Sequence, residues 1–101
     1  MNNTQKIKNA VAKIDLGKIN NYQQEYPKSK TLRQIVKCSR RVLDSNNDQE
    51  IFKLGTDLAY YLDAICDPNK GGYVKNEVEK KHWLEISREL FENTVELRPK
   101  K

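Results

Sequence analysis

Four basic residues recur at helical spacing in the segment TLRQIVKCSRRVLD, which spans 31–44. At about 100° per residue, Arg33, Lys37 and Arg40 fall on one stripe of a helix, and Arg41 lies slightly further round. We call these four residues the basic ridge. Guanidinium and ammonium groups bind phosphate oxygens strongly, so the ridge predicts contact with a nucleic-acid backbone or a lipid headgroup layer. The alternative is a solvated face whose long side chains cover the edge of the core.

Catalytic and metal chemistry are not predicted. His82 is the single histidine, and no pattern ties a serine or cysteine nucleophile to it. GGY at 71–73 lacks the spacing and the lysine of a phosphate-binding loop. Cys38 and Cys66 are far apart and show no CxxC spacing, which is typical of structural thiols. The sequence therefore predicts a non-enzymatic binding protein without cofactor, metal or small-molecule substrate.

Aromatic residues concentrate around the loop that contains Gly71 and Gly72. Three tyrosines lie near this loop, and a tryptophan follows it: Tyr60, Tyr61, Tyr73 and Trp83. Together these side chains form a candidate contact patch of the kind that anchors protein interfaces. Core packing explains the same residues, because amphipathic aromatic side chains are commonly half-buried. Both interpretations stay open.

The net charge of +5 is confined to the first half of the chain. Residues 1–50 contain ten Lys and Arg against five Asp and Glu, whereas residues 51–101 contain nine of each. A charge that served only solubility has no reason to segregate in this way. The asymmetry favours a basic face directed at phosphates or at an acidic partner.

The length of 101 residues predicts one helical domain, 1–101, that buries a single modest core. No apolar run approaches the roughly 20 residues that cross a bilayer, and the N-terminus lacks the apolar segment of a signal peptide. A cytosolic protein is therefore expected. Residues 98–101 predict a short basic tail.

Apolar residues at helical spacing predict the first two helices. A first helix carries Ile7, Ala10, Val11 and Ile14 on one face. A break near Gly17 then separates a short second piece, which ends before Pro27. Thr31 with Gln34 has the spacing of a capping box, so helix two is expected to begin at Thr31 and to end in the polar turn 44–48.

The third helix is predicted by Asn47 and Glu50, which have the spacing of an N-terminal cap, and by an apolar stripe over 51–65. Gly55 and Ala59 are small residues about one turn apart on this helix. Their size predicts a neighbouring helix at close approach.

Asn76 with Glu79 repeats the capping pattern and predicts the start of the last helix. Its main apolar face carries Trp83, Ile86, Leu90 and Leu97, and a second stripe carries Leu84, Phe91 and Val95. Apolar side chains thus cover more of this helix than one core face needs. Because the connections are short, an all-α antiparallel four-helix bundle with a broken first helix is expected.

The order of these segments resembles that of the immunity proteins of pediocin-like bacteriocins, the enterocin A immunity family. The resemblance runs from about Leu32 to Leu90: a helix LRQIVKCSRRVL, a polar turn, a helix EIFKLGTDLAYYLDAI, a loop with a lysine and an aromatic residue, and then VEKKHWLEISREL. Such proteins are cytosolic antiparallel four-helix bundles. They protect a producing cell by recognising the bacteriocin-engaged mannose phosphotransferase permease, and the C-terminal half sets specificity.

For this chain, the resemblance implies a membrane permease with bound bacteriocin as the partner, met at the inner face of the membrane. It implies four specificity residues: Tyr73, Trp83, Phe91 and Arg98. The basic ridge would then face lipid headgroups or the permease.

An interpretation of another class stays open beside it. The segment KLGTDLAYYLDAI also resembles the small helical subunits of CRISPR effector complexes. That resemblance implies that the basic ridge contacts a nucleic-acid phosphate backbone within a multi-subunit complex. A third alternative is an interaction adaptor without a ligand.

Overall fold

A computed structural model describes residues 3–94, and these residues form five α-helices and no strand. The helices are α1 (Asn3–Ala12), α2 (Leu16–Glu25), α3 (Lys30–Asp44), α4 (Asp48–Cys66) and α5 (Glu77–Thr94). The all-α class is confirmed. The four-helix count is not confirmed, because the described part of the chain contains five helices. Among them, none is long and apolar enough to cross a membrane. Val95, Leu97 and the tail 98–101 lie outside the described residues.

The predicted break after the first helix separates α1 from α2. The backbone N–H groups of Lys13 and Ile14 bond to the carbonyls three residues earlier, which closes α1 in a tight turn. Asp15 then caps α2, since its carboxylate accepts the Lys18 N–H at 3.1 Å. The break therefore lies at 13–15, slightly before Gly17.

The start of α3 differs from the predicted one. Ser29 caps this helix: its backbone is extended, and its hydroxyl accepts the Leu32 N–H at 3.2 Å. The prediction that Thr31 is the cap was wrong, because Thr31 already lies in the first helical turn. A cap must have non-helical backbone angles, and only Ser29 of the two residues has them.

Replacing Ser29 with alanine is expected to lower the free energy of unfolding by about 1–2 kcal/mol, because a buried cap hydroxyl is lost. Thr31→Ala is the matched control, and its loss is expected to stay below about 0.5 kcal/mol. Urea unfolding followed by circular dichroism measures both variants. A greater loss for Thr31→Ala than for Ser29→Ala would show that the helix begins at Thr31.

The other two predicted caps are confirmed. The side chain of Asn47 accepts the Glu50 N–H at 2.9 Å, and that of Asn76 accepts the Glu79 N–H at 3.1 Å. Each bond satisfies one of the unpaired N–H groups at the start of a helix.

Helix α4 packs against α1, α3 and α5. The predicted close approach at its small residues is confirmed. A Cβ added to Gly55 would lie 3.0 Å from Cγ2 of Ile7 in α1. On the next turn, the Ser87 hydroxyl of α5 donates to the Ala59 carbonyl at 2.7 Å. The Sγ of Cys66 lies 3.9 Å from the Lys80 carbonyl oxygen. The later residue of α4 thus contacts the earlier residue of α5, so the two helices run antiparallel.

The buried apolar residues of the five helices, together with Ile14 and Val74 from the connections, form one contiguous core. Its largest fully buried side chain is that of Trp83. Two of the solvent-facing surfaces of this arrangement concern the predicted sites. One is the outer side of α3 beside α2, and the other is the outer side of the α4–α5 pair.

Candidate functional site

An open groove of about 380 Å³ lies between helices α2 and α3. It is lined by Gln23, Arg33, Val36, Lys37, Arg40 and Arg41, and we call these six residues the basic groove. The structure thus brings all four residues of the basic ridge to one surface. Gln23 was not predicted, because the position of α2 along α3 is not contained in the periodicity of α3. Val36 was expected on the apolar face of α3, and it is half-buried against the core at the edge of the groove.

The orientation of the groove follows from the buried face of α3. Leu32, Ile35 and Val42 are buried in the core, which turns the basic ridge to solvent. Arg33 and Arg40 are seven residues apart, so their Cα atoms are about 10.5 Å apart along the helix axis.

The four cations of the groove are not equivalent. Nη2 of Arg41 lies 2.9 Å from Oε2 of Glu50 at the start of α4. A hydrogen bond from Ser45, together with Arg41, lowers the pKa of Glu50, so this carboxylate stays charged. Within residues 3–94, Arg33, Lys37 and Arg40 belong to none of the ion pairs. These three cations are therefore the ones available to an anionic ligand.

A second surface lies on the α4–α5 pair. The rings of Tyr60 and Phe91 meet edge to face, with centroids 4.9 Å apart. Leu84 lies on the same stripe of α5, two turns before Phe91. Tyr60 is 56% exposed and Leu84 is 39% exposed. We call Tyr60, Leu84 and Phe91 the apolar patch. It contains the described part of the predicted second stripe, since Val95 lies outside the described residues.

The predicted aromatic patch around the glycine loop is not assembled. Tyr73 contacts Tyr26 at the end of α2, with ring centroids 4.6 Å apart, whereas Tyr60 contacts Phe91. Tyr26 and Tyr73 line a groove of about 410 Å³. The sequence did not predict the Tyr26–Tyr73 and Tyr60–Phe91 contacts, because the two members of each pair lie far apart in the chain.

Trp83 belongs to the core and not to a surface patch. Its side chain is 0% exposed, and its Nε1–H points to Oε1 of Glu79 at 3.4 Å. The interpretation of Trp83 as a surface contact is therefore corrected in favour of the core-packing alternative. Of the four implied specificity residues, Tyr73 and Phe91 are half-buried, and Arg98 lies outside the described residues.

The two thiols are buried in α3 and at the end of α4. Burial raises the pKa of Cys66 to about 11 and also raises that of Cys38. Burial and a hydrogen bond to Glu79 raise the pKa of the Tyr22 hydroxyl. Raised thiol pKa values leave little nucleophilic thiolate near neutral pH.

The free energy of unfolding is expected to fall as the pH rises from about 9 to about 11. In the unfolded chain Cys66 loses its proton near 9.0, and in the folded chain only near 11, so alkali favours unfolding. The loss attributable to Cys66 is expected to reach about 2–3 kcal/mol. Urea unfolding of the wild type and of Cys66→Val across this pH range measures it. An equal decline in both proteins would contradict the assignment to Cys66.

His82 is exposed on α5, and its ring centroid lies 5.3 Å from that of Trp83. Over residues 3–94, no cluster of three or more His, Cys, Asp or Glu side chains is suited to a metal ion. The basic groove exposes three cations without an ion pair among the described residues, and the apolar patch exposes Tyr60 and Leu84. Comparison with protein-family models, with curated proteins and with solved structures found no match to this chain.

Proposed function

We propose that this chain is a non-enzymatic bacteriocin immunity protein, which protects a producing cell by recognising a membrane permease with bound bacteriocin. The segment order shared with the enterocin A immunity family supports this proposal. The described helices α3, α4 and α5 coincide with the three helical segments of that resemblance. In this proposal, α1 and α2 are the two halves of the first helix of a four-helix bundle, and the protein acts from the cytoplasmic side.

The apolar patch is the observation that carries the proposal. A side chain such as Tyr60, more than half exposed beside a half-buried Phe91, is the type of group that anchors protein interfaces. The patch lies in the second half of the chain, whose charges balance. Charged side chains of both signs border Leu84, among them Lys81 and Glu85. An apolar centre with a charged rim suits contact with another protein.

Expression of the chain in a bacteriocin-sensitive strain tests the proposal. Growth is expected to be restored under challenge by one member of a panel of pediocin-like bacteriocins. The empty vector is the control. If the chain accumulates as a folded protein and none of the bacteriocins is resisted, the proposal is wrong.

The second candidate function is binding of a nucleic-acid phosphate backbone within a multi-subunit complex. Arg33, Lys37 and Arg40 favour it, since they lie along about 10.5 Å of helix and have no ion pairs within 3–94. Contacts of this type give affinity with little dependence on base sequence.

Titration with single-stranded and duplex nucleic acid at low and moderate salt tests this candidate. This candidate requires a binding constant that falls steeply as the salt concentration rises. The slope of the logarithm of the binding constant against the logarithm of salt concentration should be smaller in magnitude by about 2–3 in Arg33→Gln/Lys37→Gln/Arg40→Gln than in the wild type. Absence of binding even at low salt would exclude this candidate.

A further inference from the structure

Two aliphatic side chains of α3 accompany the cations of the basic groove, the half-buried Val36 and the exposed Leu43. Val36 lines the groove, and Leu43 is 43% exposed although it is a large apolar residue. The two are seven residues apart, so they lie on one line of α3, two turns from each other. Arg33 and Arg40 follow the adjacent line. The outer side of α3 therefore presents a row of cations beside one exposed aliphatic side chain, Leu43, and the accessible edge of Val36.

This combination matches a membrane interface better than a nucleic acid. Strands without sequence preference are held by phosphate contacts together with bases stacked on aromatic rings, and none of the residues that line the basic groove is aromatic. Interfacial helices instead direct cations to headgroup phosphates and aliphatic side chains to the boundary with the acyl chains.

The local charge balance supports an anionic ligand. Glu50 neutralises Arg41 and leaves three cations on the groove. Asp44 is the one acidic residue on the outer side of α3, at its C-terminal end. Residues 1–50, which include the basic groove, carry the whole net charge of +5. The other half of the chain is neutral and supplies no net negative charge to offset it.

We infer that the basic groove is a docking site for anionic phospholipid headgroups. Arg33, Lys37 and Arg40 bind the headgroup phosphates, while the exposed Leu43 enters the boundary layer. The inference rests on the proposed function, because a protein that recognises a permease from the cytoplasmic side works against an anionic leaflet. Docking through α3 raises the concentration of the protein near its partner and leaves the apolar patch on α4 and α5 available.

Sedimentation of the full chain with lipid vesicles tests the inference. Binding to phosphatidylcholine vesicles that contain phosphatidylglycerol is expected to exceed binding to pure phosphatidylcholine, and to weaken with salt. Each basic residue near such a surface strengthens binding roughly fivefold, so Arg33→Gln/Lys37→Gln/Arg40→Gln should weaken it by about 100-fold. Leu43→Ser should weaken it severalfold with the salt dependence unchanged.

Lys70→Gln/Lys75→Gln/Lys81→Gln is the matched control, because it removes the same charge from exposed positions outside the groove. An equal loss in this variant would overturn the inference, since net charge and not the groove would then explain binding. Equal binding to both vesicle types would overturn it as well. If the protein binds single-stranded nucleic acid but not vesicles, the inference is also overturned. That result would support the second candidate function.

The two proposals fail separately. Vesicle binding needs neither bacteriocin nor permease, so a chain that restores growth without binding anionic vesicles overturns the docking site alone. A chain that binds such vesicles but resists no bacteriocin overturns the immunity function alone.

Discussion

Replacing Trp83 with alanine is expected to lower the free energy of unfolding by about 3–5 kcal/mol. The indole is 0% exposed and is the largest buried side chain of the core, so its removal leaves a cavity that the surrounding helices fill only in part. Such a loss is a large share of the roughly 5–15 kcal/mol that stabilises a typical domain. Because Trp83 is the only tryptophan, unfolding is followed by circular dichroism and not by fluorescence.

His82→Ala is the control for this substitution, since His82 is the exposed neighbour of Trp83. Its effect is expected to remain within about 0.5 kcal/mol. A Trp83→Ala protein as stable as the wild type would show that the indole lies on the surface. The resemblance would then keep Trp83 as a specificity residue.

Replacing Tyr60 and Leu84 together with serine is expected to abolish protection against the bacteriocin. Aromatic and aliphatic anchors at the centre of an interface each contribute about 2 kcal/mol or more, so the double variant should bind its partner at least about 100-fold more weakly. Both side chains are partly exposed, so the loss of the Tyr60–Phe91 contact and of apolar burial should lower the free energy of unfolding by no more than about 1–2 kcal/mol. Growth under challenge and circular dichroism of the purified protein measure the two properties.

Val78→Ser is the matched control for the apolar patch. Val78 is 81% exposed on α5, but it lies well round the helix from Leu84 and Phe91. Protection is expected to persist in this variant. If Val78→Ser loses protection while the double variant retains it, the binding surface lies on the opposite side of α5.

The helices were predictable because their signals are local. The side chains of Asn47 and Asn76 satisfy N–H groups three residues later, and both caps are visible as patterns in the sequence. The cap of α3 was missed although Thr31 and Gln34 fit a capping box. Ser29 precedes them after Pro27, and the chain becomes helical directly after Ser29, which makes Ser29 the cap. Local pattern alone does not distinguish two hydroxyl residues so close together.

The two surfaces differ in how far the sequence predicted them. The basic ridge belongs to a single helix, so the periodicity of α3 was sufficient to place its four residues on one face. The apolar patch joins Tyr60 of α4 to Phe91 of α5. Which residues meet across two helices depends on their relative register, and register is set by packing contacts such as that of Ser87 with Ala59. For the same reason, no sequence pattern paired Tyr26 with Tyr73.

Co-purification with the permease tests the proposed recognition most directly. The tagged chain is mixed with detergent-solubilised membranes of a bacteriocin-sensitive strain, in the presence and absence of the bacteriocin it resists. The mannose permease is expected to be retained by the wild type only when the bacteriocin is present, and not to be retained by Tyr60→Ser/Leu84→Ser. Equal retention with and without bacteriocin, or equal retention by the double variant, would contradict recognition of the bacteriocin-engaged permease through the apolar patch.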